Sequence, residues 1–218
     1  MKTRLLKIRI SVLAAILLCC ICLPVQADLI TIGLTGKIIR ADDPQNVFGG
    51  QIQWGDTVTG TYTYDTSTPD SEPLDPSAGV YWHYNTPCGV SVTINNFIFQ
   101  TNPNNIRFKV GIGDNYPSFG DIYNFISYNN SPLPNGTSID TIVWQITDST
   151  GTALSSDALP TTAPNLDDWN MDYGLSITGP RGWDYLLRAD ITSVMLIPEP
   201  TTLLLLAFGI IVCKLRKS

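Results

Sequence analysis

The sequence predicts an all-β protein: an antiparallel β-sandwich, jelly-roll-like, flanked by an N-terminal signal peptide and a short C-terminal transmembrane helix. Three observations predict the β-domain. Apolar residues alternate with polar ones at period two through most of residues 28–197, in runs rich in β-branched and aromatic side chains. Clusters of Gly, Pro, Asn and Asp separate those runs. No stretch of the region holds a 3.6-residue period over three turns.

The chain opens with Lys2, Arg4, Lys7 and Arg9 and no acid. An apolar stretch from Ile10 to Leu23 follows, broken only by Ser11. Pro24-Val25-Gln26-Ala27 then places Val25 and Ala27 at the two positions a signal peptidase reads. Residues 1–27 are therefore expected to be a secretory signal, cleaved between Ala27 and Asp28. Cys19, Cys20 and Cys22 lie inside it, without the small preceding residue that a lipoprotein signal needs. Between the signal and the tail, Cys88 is the one cysteine, so no disulfide can staple the domain. About 170 residues suffice for a single core without one. The thiol is expected to act as a small buried hydrophobe.

Within residues 28–197 the alternation marks successive strands, about eight to ten in all. Ile30, Ile32, Leu34 and Ile38 share one face, as do Val58, Tyr62 and Tyr64, and then Val90, Val92 and Ile94. Ile106, Phe108, Val110 and Ile112 follow, then Ile142, Trp144 and Ile146. The last two runs are Tyr173, Leu175, Ile177 and Trp183, Tyr185, Leu187, Ala189, Ile191. Asp42-Asp43-Pro44, Gly49-Gly50, Pro132-Leu133-Pro134-Asn135-Gly136 and Gly179-Pro180-Arg181-Gly182 supply turns, and residues 66–79 read as a long exposed loop. Single turns of helix are expected at most near Leu154 to Leu159 and Leu166 to Trp169.

Residues 198–218 form a third segment. Pro198-Glu199-Pro200 cannot continue a helix and should be extended and accessible. The apolar run 203–213 has eleven residues and no charge. As a helix it reaches roughly 16 Å, short for a hydrocarbon core of about 30 Å. Lys214, Arg216 and Lys217 follow, a cluster the positive-inside rule places in the cytoplasm.

This arrangement resembles the PEP-CTERM sorting signal of exported bacterial proteins, carried by Pro198, Glu199, Pro200, Thr201, the Leu-rich run with Gly209, and the basic end. The resemblance implies recognition and removal of the tail by an exosortase-like membrane protease, in a Gram-negative host that makes exopolysaccharide. It implies export through the secretion machinery, transient inner-membrane anchoring through the C-terminal helix, then a cell-surface or extracellular location. The body is similar to a recurrent ectodomain of proteins bearing this tail, through Asp56-Thr57-Val58-Thr59-Gly60-Thr61-Tyr62-Thr63-Tyr64-Asp65 and Gly151-Thr152-Ala153-Leu154-Ser155-Ser156-Asp157-Ala158-Leu159-Pro160. That group brings no activity and no functional residues with it.

Charge excludes one class of partner. Between Asp28 and Pro200 six Lys and Arg face all nineteen acids, a net charge of −13. Such a surface repels nucleic acid. No cofactor is expected, and no catalytic residue is assigned. His83 is the single histidine, and no Gly-x-Ser-x-Gly elbow is present. Flanked by Trp82 and Tyr84, it is expected to be an exposed strand residue. Asp114 and Asp121 in one loop, and Asp167, Asp168 and Asp172 in another, are candidate calcium ligands, although neither loop has EF-hand spacing. Trp82, Tyr84 and Trp169 lie beside loops and are candidate platforms for sugar rings. The leading expectation is an exported, noncatalytic surface or matrix protein. The alternative is a carbohydrate-binding module, calcium-assisted or not, that engages extracellular polysaccharide. A glycoside hydrolase comes third, requiring two converging carboxylates.

Overall fold

The structure, a computed structural model, describes residues 29–180 and 184–198. Val25, Ala27, Trp183, Glu199 and Pro200 lie outside the described residues, as do the side chains of Asp172 and Tyr173 and the apolar run 203–213. Among the described residues no helix is long and apolar enough to cross a membrane.

The domain is all-β. Its strands are β1 (Leu29–Asp42), β2 (Thr57–Asp65), β3 (Ala78–His83), β4 (Gly89–Ile94), β5 (Phe97–Gln100), β6 (Phe108–Tyr116), β7 (Gly120–Ser127), β8 (Thr141–Asp148), β9 (Met171–Thr178) and β10 (Leu186–Leu196). All ten pair into one antiparallel sheet in the order β3-β6-β7-β8-β9-β10-β1-β2-β4-β5. A 3-10 turn, Leu166–Asp168, falls within one of the two stretches where the sequence allowed a single turn.

Alternation produces this sheet because inward residues can be buried only if every second side chain is apolar. β8 shows it: Ile142, Trp144 and Ile146 are buried, and Thr141, Val143 and Gln145 are half-buried on the other side. β7 departs from the rule, and residues 114–121 are not the single loop expected from their acids. Asp121, Tyr123, Phe125 and Ser127 point inward, while Ile122 and Ile126 point outward. Apolar residues thus occupy both faces, and the period-two signal is erased. β5 is also new; its four residues follow a hairpin turned at Asn95, whose φ is 53°.

The sheet curls on itself. Tyr62 of β2 meets Tyr123 and Phe125 of β7 and Trp144 of β8, although four or five places separate those strands in hydrogen-bonded order. Phe48, in the β1–β2 loop, packs edge-on against Phe97, Phe99 and Tyr185 and extends the same core. Asp43 fixes that loop by accepting the N–H groups of Val47 and Phe48. Curling is eased by a register shift between Thr35 and Gly36 in the β1–β10 pair, where a Cβ on Gly36 would collide with the Asp190 carbonyl. Each edge strand is met by a neighbouring loop. Ser71 N–H bonds Val80 O beside β3, and Ser131 N–H bonds Gln100 O beside β5.

Because Tyr62 joins both halves of the curl, its truncation should be costly. Tyr62→Ala is expected to lose about 3–5 kcal/mol of stability. Leu74→Ala, at a side chain 97% exposed, should change stability by less than about 0.5 kcal/mol. Urea unfolding monitored by tryptophan fluorescence checks both.

Candidate functional site

Period two places side chains 82 and 84, 107 and 109, and 126 and 128 on common faces of their chain segments, and antiparallel pairing sets those segments side by side. Trp82 of β3 stands opposite Lys109 of β6, which stands opposite Ile126 of β7. One step along, Tyr84, Arg107 and Tyr128 continue the pattern just beyond the strand ends, and Tyr128 N–H bonds Arg107 O at 3.0 Å. The result is an aromatic and cationic strip on the outer face. The rings of Trp82 and Tyr84 are 6.2 Å apart and within 11° of parallel. Tyr128 lies 5.6 Å from Trp82 at 30°. The Arg107 guanidinium sits 5.4 Å from the Trp82 ring and 5.1 Å from the Tyr128 ring, with Lys109 Nζ 6.0 Å from Trp82.

Two of the three aromatic candidates are thus brought together. Trp169 is not with them. It is half-buried against the inner core and meets Tyr123 edge-on at 6.5 Å. Sequence reasoning missed Arg107, Lys109 and Tyr128. The alternation of Arg107 and Lys109 with Phe108 and Val110 was a visible signal that both cations face outward. Nothing in it identified β3 as the neighbour.

Beside the strip runs a groove of about 330 Å³, lined by Leu29, Asp65, Thr68, Trp82, Tyr84 and Cys88 among others. His83 forms its inner wall and corrects an expectation, for it is buried rather than exposed. The strand alternates, so Trp82 and Tyr84 face out and the residue between them must face in. Thr68 Oγ1 lies 3.0 Å from its Nδ1, and Nε2 is buried with no hydrogen-bond partner among the described residues. Burial lowers the His83 pKa to about 4, against the opposing pull of Asp65. Cys88, buried and free, moves the other way: burial chiefly raises its thiol to about 11. Both groups are held neutral, the reverse of the thiolate–imidazolium pairing a cysteine nucleophile requires.

Of the candidate calcium ligands whose side chains are described, Asp114 and Asp121 both meet Asn115, and Asp167 and Asp168 lie in the 3-10 turn. Asp121 is buried and already accepts Asn115 N–H at 2.8 Å and Leu154 N–H at 2.7 Å. Asp114 accepts from the Asn115 side chain, and Asp167 and Asp168 are exposed in the 3-10 turn. Among the described residues no three His, Cys, Asp or Glu side chains group as metal ligands. Carboxylates here brace turns instead. Asp65 accepts from Ser67, Asp75 from Ser77, and Asp148 from Thr150, Thr152 and Asn170. The Thr152 N–H, then the Thr150 hydroxyl, hold Asp148 well below the usual carboxylate range.

No protein-family model, curated protein or solved structure matches this chain.

Two outcomes follow from this geometry. The folded His83 pKa lies below the unfolded value near 6.5, so neutral His83 favours folding above that value. Its contribution is lost as pH falls from about 6.5 toward about 4. The loss is expected to be about 3 kcal/mol at most. Urea midpoints measured across that window should fall less steeply for His83→Gln than for the native chain. Separately, millimolar calcium should leave the thermal midpoint unchanged, since Asp121 and Asp148 already hold N–H donors. A midpoint that rises with calcium concentration would refute this.

Proposed function

We propose that the chain is an exported, noncatalytic cell-surface or extracellular-matrix protein, sorted and processed through its C-terminal Pro-Glu-Pro signal, with the β-domain as the delivered part. The observation that carries this reading is how the fold fits between the two signals. The described β1, Leu29–Asp42, lies downstream of the expected cleavage site between Ala27 and Asp28. Ile197 N–H bonds Thr31 O at 2.8 Å, one residue before Pro198. All ten described strands pair within residues 29–196, between the two expected signals. The β1–β10 pairing thus sets Thr31 beside Ile197, so the first and last described strands lie side by side.

On this reading the signal peptidase and secretion machinery act first. An exosortase-like protease then acts on residues 198–200 while the apolar run tethers the chain to the inner membrane. The two halves of the curled sheet serve as layers of a jelly-roll-like sandwich. The net charge of −13 keeps the delivered domain soluble and away from nucleic acid.

A second reading concerns what the domain does after delivery, and the Trp82–Tyr84 pair favours it. Tyr84 is exposed and stacked on Trp82 at an outer strand face, which suits its free face to stacking on a sugar ring. This reading makes the domain a carbohydrate-binding module for extracellular polysaccharide.

Replacing Pro198, Glu199 and Pro200 together by alanine is expected to leave a larger, membrane-retained product on immunoblots of fractionated producing cells. Normal size and release of that variant would refute the sorting proposal.

A further inference from the structure

The strip around Trp82 carries a second kind of information, its charge. Of the five Lys and Arg among the described residues, Arg107 and Lys109 stand together here, in a domain dominated by acids. Arg40, by contrast, pairs with Asp42, the single side-chain ion pair among the described residues. Arg107 is exposed, held between the Trp82 and Tyr128 rings, and has no carboxylate partner there. With so many acids in the chain, an unpaired guanidinium gripped by two rings is a donor set presented outward. The ring contacts restrict the side chain in advance, which lowers the ordering cost of a ligand bond.

We infer that the strip formed by Trp82, Tyr84, Arg107, Lys109 and Tyr128 binds an acidic polysaccharide, with sugar rings stacked on the aromatic pair and uronate carboxylates on Arg107 and Lys109. This rests on the glycan-binding reading above and names the ligand class for that site. A carboxylate matches the planar fork of a guanidinium, and charge-assisted bonds of this kind are about twice as strong as neutral ones. The nearby acids set the limits of the strip. Glu72 lies close enough to Lys109 to influence it, and Asp65 lines the groove on the other side of Trp82. Asp70 is occupied by the N–H groups of Glu72 and Val80. A single polymer chain can follow the cationic row and avoid these carboxylates. A planar anionic membrane would face them together with the rest of the acidic flank, which disfavours a lipid as the occupant.

The test is affinity electrophoresis of the full chain in mild detergent, with polygalacturonate, the same polymer after carboxyl reduction, or a neutral glucan cast in the gel. Both protein and polyuronate are negatively charged, so bulk electrostatics cannot produce retardation. Polygalacturonate should retard the chain and the carboxyl-reduced polymer should not. Arg107→Gln should weaken the retardation about tenfold, with Arg107→Lys retaining part of it and an unchanged thermal midpoint confirming that both variants fold. Equal retardation by all three polymers would overturn the acidic assignment and leave the glycan reading standing. No retardation by any polymer would remove both. Full retardation of Arg107→Gln would overturn the placement of the site. Release of the chain from polygalacturonate by phosphatidylglycerol bicelles, at equal charge, would assign the strip to a membrane instead.

Discussion

The aromatic contact of Tyr62 with Tyr123, Phe125 and Trp144 is the constraint from which the architecture follows. A ten-stranded antiparallel sheet laid flat would leave one apolar face in water. The curl buries that face against itself, and these four rings are where β2 meets β7 and β8. The 2.8 Å bond between the Tyr62 and Tyr123 hydroxyls lets two large polar-tipped side chains be fully buried there. Their burial in turn pushes both phenols well above their ordinary range, which favours the neutral form of each.

The outer strip is a consequence of the same pairing. Once β6 lies between β3 and β7, inward Phe108 and Val110 force Arg107 and Lys109 outward, between the outward residues of the neighbouring strands. His83 is buried for the reason that Trp82 and Tyr84 are not. A single geometric rule, opposite faces for successive residues, therefore produces the aromatic platform, the cations beside it and the neutral imidazole behind it.

The acids have a different logic. An excess of carboxylates on a small domain raises self-repulsion, yet many of these groups accept turn N–H or hydroxyl donors that would otherwise be unpaired. Asp121 and Asp148 go further and brace the β6–β7 and β8–β9 connections from buried positions. The oxygen lone pairs of Asp121 and Asp148 are thus directed to donors within the chain.

Most of the strand content was determined by sequence, because burial of one face imposes period two wherever the other face meets water. β1, β2, β4, β8 and the inward residues Leu175, Ile177, Leu187 and Ala189 follow that rule and were legible. β7 was not, because Ile122 and Ile126 place apolar groups on its outer face as well. Cys88 as a buried hydrophobe and Trp144 as core were likewise readable from composition and phase. The order of strands was not, since alternation states which face a residue takes and is silent about its neighbour. Only tertiary structure decided that Arg107, Lys109 and Tyr128 stand beside Trp82 and Tyr84, that Trp169 joins the core instead, and that Asp121 is a buried brace. Each depends on contacts between residues far apart in sequence, which closure of the curled sheet alone specifies.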